Sequence, residues 1–107
     1  YSPGYFTAQL ERNSAAKQAI AKVIVRSLAD GMAVALTAGS TPYAVAREIR
    51  RAAVEGEPPH NLIVFTNSVP AFLELTAASL STGILGEIYD PEDCALHSPD
   101  FRSPFQP

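Results

Sequence analysis

Short apolar runs in this chain alternate with segments whose apolar residues recur every three or four positions. Ala16, Ile20, Val23, Ile24 and Leu28 share that helical spacing. Asn13 or Ser14 precedes them as an N-cap, and Asp30-Gly31 follows as a stop. Met32 to Leu36 (MAVAL) is an uncharged run of strand length, the kind buried on both faces of a parallel sheet. After the small polar turn Gly39-Ser40-Thr41, a second helix is predicted from Pro42 to Ala53. Proline costs nothing there, because a first-turn N–H has no helical partner. Val45, Ala46, Ile49 and Ala53 form its apolar stripe, with Arg47, Glu48, Arg50 and Arg51 toward solvent, until Gly56 and Pro58-Pro59 break it.

The pattern then repeats. Leu62 to Phe65 (LIVF) predicts a second buried strand, Thr66-Asn67-Ser68 a second polar turn, and Val69 to Ala78 a third helix. Leu80 to Leu85 holds a weaker third strand, ending at Gly86. Beyond Ile88 the sequence turns irregular and proline-rich, which predicts an extended tail or an arm wrapping a partner. The expected organisation is a leading arm over 1–12, an α/β domain over 13–98 and a Pro/Phe-rich tail over 99–107.

Strand, turn and helix in that order specify a parallel α/β sheet. The turns Thr37 to Thr41, Thr66 to Ser68 and Gly86-Glu87 then share the carboxyl edge of the sheet, where ligands of open α/β folds bind. A helix N-terminus there presents unpaired N–H donors and about half a positive charge. Gly39 has no side chain to keep an anion from the backbone, and Ser40 and Thr41 add hydroxyl donors. Simple helix capping explains the same triplet; its recurrence after a second strand favours a phosphate site. Neither GxGxxG nor GxxxxGK[ST] occurs, so dinucleotide binding and nucleoside triphosphate hydrolysis have no support.

Composition narrows the classes. With 107 residues, 47% hydrophobic and 18% charged, the chain has the makings of one globular domain. A net charge of -3 lacks the basic footprint that a nucleic-acid backbone requires. Cys94 is the sole cysteine, which excludes an internal disulfide and, with no signal-peptide pattern, predicts a reducing, cytoplasmic setting. No apolar run approaches the roughly 20 residues of a membrane-spanning helix. Two histidines and one cysteine, far apart, give no metal-site spacing, so neither metal nor cofactor is expected.

GSTPYAVAREI, NLIVFTNSVPAFLEL and TGILGEIYDPEDCAL, in that order and spacing, resemble the effector-sensing domain of DeoR-type transcriptional regulators. KQAIAKVIVRSLADGMAV looks like that family's entry helix leading into its first strand. The resemblance covers roughly residues 15 to 98 and implies a fold shared with ribose-phosphate isomerases, glucosamine-phosphate deaminases and phosphogluconolactonases. The implied architecture is a three-layer parallel sheet with helices on both faces, shortened relative to the family. The implied ligand is a phosphorylated sugar, with Gly39, Ser40 and Thr41 on the phosphate, Thr66, Asn67 and Ser68 lining the neighbouring wall, and Gly86 giving room near the sugar. The chain departs from the family at Thr37, where an acidic residue is frequent, at Pro42, where threonine is frequent, and at Gly86-Glu87, where glycines are paired.

The leading expectation is therefore a non-catalytic sensor that oligomerises and touches neither nucleic acid nor membrane. One rival is an isomerase, deaminase or lactonase on a sugar phosphate; another is a degenerate domain kept as an assembly surface. Catalytic residues are not assigned. His60 and His97 have no partner at a recognised spacing. Asp90, Glu92 and Asp93 read most simply as a solvated acidic loop, with cation binding or a base in an isomerase-like relative as the sharper alternative, and Cys94 reads as a small buried hydrophobe.

Overall fold

The computed structural model describes residues 11–98. The expected leading arm and Pro/Phe-rich tail lie almost wholly outside the described residues. Helix α1 spans Ser14–Arg26, strand β1 Ala33–Leu36, helix α2 Ser40–Val54, strand β2 Ile63–Thr66, helix α3 Val69–Ala77 and strand β3 Ser81–Ile84. The short strands β4 (Ile88–Asp90) and β5 (Ala95–His97) follow.

The three longer strands form a parallel sheet in the order β1-β2-β3. Leu36 lies beside Thr66, and Thr66 beside Ile84, so the strands end level with one another. Right-handed crossovers through an order that never reverses put successive helices on one face. The core agrees: Ala21 and Val25 of α1, Val45, Ala46 and Ile49 of α2, and Ala71 and Leu75 of α3 join Leu36 and Val64 in one cluster.

The α/β class and the parallel sheet are as expected; among the described residues, however, the strands are not buried on both sides beneath two helical layers. In β2, Val64 and Thr66 are fully buried, whereas Ile63 and Phe65 keep 45% and 40% of their surface exposed. Among the described residues the fold has two layers, a sheet and one layer of helices. The aromatic ring of Phe65 covers its neighbour Gly83, where an added Cβ would lie 2.8 Å from Phe65 Cδ1. An aromatic ring thus shields a glycine backbone on the bare face.

The first helix is also turned from its expected setting. Ala21 and Val25 face the core, while Ile20, Val23 and Ile24 of the expected apolar stripe are exposed. Small Ala21 lets α1 approach α2 closely, a fit that hydrophobic spacing alone does not specify. In α2 the innermost set is Val45, Ala46, Ile49 and Ala52. From Ile88 to His97 the chain is not an extended tail: β4 and β5 pair antiparallel across a turn. Fully buried Cys94 is the hydrophobe expected there, its Sγ 3.7 Å from the Pro91 carbonyl.

Candidate functional site

Level strand ends bring the first two polar turns to one rim. Helix α2 starts at Ser40, two residues earlier than expected, with Gly39 as its N-cap. Gly39 has φ 137°, a region that a side chain disfavours, and contributes no capping side chain. The first-turn amides of α2 are thus left for another acceptor. Ser40 and Thr41 are half-buried, and Pro42 occupies the first turn without forfeiting a helical hydrogen bond.

The second turn is built differently. The Thr66 hydroxyl donates to the Leu36 carbonyl at 2.7 Å and accepts from the Ser68 amide at 3.0 Å. Ser68 Oγ accepts from the Ala71 amide at 3.2 Å and so caps α3. Thr66, Asn67 and Ser68 are all buried. What covers them is the hairpin: the Leu96 amide donates to the Asn67 carbonyl, the Val69 amide to the Cys94 carbonyl, and Asn67 Nδ2 to the Leu96 carbonyl. Thr66 to Ser68 are therefore a floor beneath β5 in this conformation and not an open wall. Asn67 Oδ1 is buried there with no hydrogen-bond partner.

Gly86 also differs from its expected role. Its backbone, at φ 104°, abuts Leu96, and a Cβ placed on it would lie 2.7 Å from the Leu96 carbonyl carbon. The room that glycine provides is filled by the chain itself. Glu87 is exposed and donates its amide to the His97 carbonyl.

The start of α2 is flanked by cations that sequence spacing left unassigned. A cavity of about 50 Å³ beside Ser40 is lined by Lys17 and Gln18 of α1 and by Tyr43 and Arg47 of α2, among others. By sequence pattern Arg47 is one of several arginines on a solvated helix face, and Lys17 falls in the entry helix. Only the packing of α1 across α2 joins them, and no motif encodes that. On the neighbouring surface, Arg50 and the Tyr43 hydroxyl both donate to the Glu74 carboxylate. Burial pushes the Glu74 carboxyl up, but those two donors outweigh it and hold the group below its ordinary range. Burial, reinforced by the bond to Glu74, pushes the Tyr43 phenol up to about 12. His60 lies away from the rim, its amide donating to Asp30 Oδ1 at 2.7 Å. No described helix is long and apolar enough to cross a membrane.

The family model of the DeoR C-terminal sensor domain matches residues 12–106. No curated protein sequence matches the chain. Among solved structures, ribose 5-phosphate isomerase A from Methanocaldococcus jannaschii is similar at 26% identity and a TM-score of 0.56, over 65% of this chain and 30% of that one. Ribose 5-phosphate isomerase from Plasmodium falciparum is similar in fold at 19% identity and a TM-score of 0.56, over 68% and 31%. A third, a D-ribose-5-phosphate isomerase in complex with phospho-erythronic acid, has 21% identity and a TM-score of 0.58, over 67% and 31%. The chain thus spans under a third of the length of these isomerases.

Proposed function

The chain belongs to the DeoR C-terminal sensor-domain family, and from that premise we propose that it binds a phosphorylated sugar or similar small anion and does not convert it. The observation that carries this reading is the uncapped start of α2 at the carboxyl rim of a parallel sheet, with Gly39 at its N-cap and Lys17 and Arg47 close by. Backbone donors, a helix dipole and two cations all favour a phosphate in the same place. Similarity in fold to proteins named for ribose 5-phosphate supports the choice of a sugar phosphate.

In this reading Gly39, Ser40 and Thr41 take the phosphate. Thr66, Asn67 and Ser68 set the floor, and the unmet Asn67 Oδ1 accepts from a sugar hydroxyl once the hairpin yields. An unpaired buried acceptor costs about 1–3 kcal/mol, so a donor arriving there adds affinity. Gly86 supports the site indirectly, by seating Leu96 over the floor. The exposed apolar residues of α1 and of the sheet suit a homo-oligomer, and the net charge of -3 suits a chain that leaves DNA to another part of its regulator.

Titration with a panel of sugar phosphates, followed by thermal unfolding, tests the reading. A ligand at one hundred times its dissociation constant adds about 2.7 kcal/mol, and the sugar phosphate is recovered chemically unchanged. Loss of that stabilisation in a Ser40→Ala/Thr41→Ala variant locates the ligand. A folded protein that responds to no member of the panel overturns the proposal, and turnover replaces it with the enzyme rival.

A further inference from the structure

The β4–β5 hairpin carries a cluster of donor atoms that neither the fold nor the rim explains. Asp90 pairs with Ala95 across the hairpin, so His97, two residues further along, lies diagonally on the same face. The turn brings back Asp93. His97 Nε2 is 3.5 Å from Asp93 Oδ2 and 3.7 Å from Asp90 Oδ2, and one ligating atom from each of the three residues lies within 4.8 Å of the others. The second oxygen of Asp90 accepts from the Glu92 amide at 2.9 Å. Two carboxylates meeting one imidazole carry more negative charge than a single protonated histidine can offset.

We propose that Asp90, Asp93 and His97 bind a divalent transition-metal ion through two carboxylate oxygens and one imidazole nitrogen. With Zn–N and Zn–O bonds of about 2.0–2.2 Å, neighbouring donors in a tetrahedral shell sit roughly 3.5 Å apart. The observed spacings therefore need only small side-chain movements. A dication balances both carboxylates while the imidazole stays neutral, which is the form that ligates. The nitrogen donor selects zinc, nickel or cobalt over magnesium. Three donors from one protein chain leave a position for water or for a further group.

The consequence is mechanical. The hairpin holds the Asn67 floor through Leu96 and Cys94, so an ion that clamps Asp90 to His97 stiffens the cover over the rim. This does not depend on which effector the rim takes, and its test needs none.

Calorimetric titration of the protein with Zn²⁺ is expected to show one equivalent bound. His97→Ala and Asp93→Asn are each expected to weaken it at least tenfold, since even outer-shell partners of a metal matter on that scale. Amide exchange at Glu87 and Leu96 is expected to slow on adding Zn²⁺ to the parent protein, and not in His97→Ala. Asp93 is half-exposed, so its asparagine variant tests ligation if the His97 variant misfolds. No zinc binding, unchanged affinity in Asp93→Asn, or Mg²⁺ binding as tightly as Zn²⁺ overturns the proposal.

Discussion

Gly86 and Leu96 touch backbone to backbone: a methyl group added at Gly86 would sit 2.7 Å from the Leu96 carbonyl carbon and 2.8 Å from its oxygen. The end of the third strand and the covering hairpin thus meet where no side chain fits. Gly86→Ala combines that collision with a positive φ and is expected to destabilise the protein by about 2 kcal/mol or more. Gly56→Ala is the comparison, because Gly56 has φ 70° but open space around its Cβ position. It is expected to cost only about 1 kcal/mol, the conformational part. Urea unfolding of both variants checks the difference, and equal losses would mean that the contact is easily relieved.

Thr66 ties strand to strand and turn to helix with one hydroxyl. Thr66→Val keeps the shape but strands the Leu36 carbonyl and the Ser68 amide. The expected cost is about 2–6 kcal/mol, at about 1–3 for each of the two buried groups left unpaired. Ser68→Ala loses one helix cap and is expected to cost about 1 kcal/mol. Denaturant midpoints should fall in that order; the reverse order would show that the cap, and not the strand tie, holds the floor.

The Tyr43–Glu74–Arg50 cluster makes stability depend on pH at both ends. Glu74 titrates below its ordinary value in the folded protein. Its contribution is therefore present above the ordinary carboxyl range and lost as pH falls through the lowered value. Tyr43 moves the other way, from 10.0 to about 12. Its contribution is complete below pH 10 and lost as pH rises toward 12. Tyr43→Phe is expected to cost about 1 kcal/mol at neutral pH and to flatten the alkaline loss. Melting temperatures across pH for the parent and the variant supply the check.

Arg47 offers a test of the proposed anion site. If a phosphate sits at the start of α2, Arg47→Gln should weaken a sugar phosphate about tenfold or more, the worth of one charge-assisted hydrogen bond. Arg51→Gln is the control. The Arg51 guanidinium is occupied by Glu48 of the same helix and by Glu55 and Glu57 just past its end, and its loss should leave ligand affinity nearly unchanged. Equal effects of the two substitutions would reduce the role of Arg47 to bulk charge.

Much of the fold was legible because each strand is a short apolar run and each turn is marked by small polar residues. The run LIVF and the TNS that follows placed β2 and α3 within one residue. The second face of the sheet was not legible. Val64 and Phe65 are both apolar, yet only the sheet order decides which of them meets a helix. Likewise Ile20 and Ala21 adjoin in sequence, and it is the bulkier side chain that faces outward. For the site, the turn chemistry pointed to the rim. The hairpin that covers Asn67 rests on backbone pairing between Asn67 and Leu96, and backbone bonds leave no mark in side-chain pattern. Lys17 and Arg47 converge through helix packing alone.

A sheet that never reverses its order offers an incoming molecule a shelf, since the crevice of larger open α/β folds arises where two oppositely wound halves part. On a shelf, a bound anion keeps one flank in water, and its hold is correspondingly sensitive to dissolved salt. If the proposed sugar phosphate binds there, selectivity among sugars has to be supplied from above, by whatever leans over the strand ends. Among the described residues that duty falls to a strand of three residues, Ala95–His97.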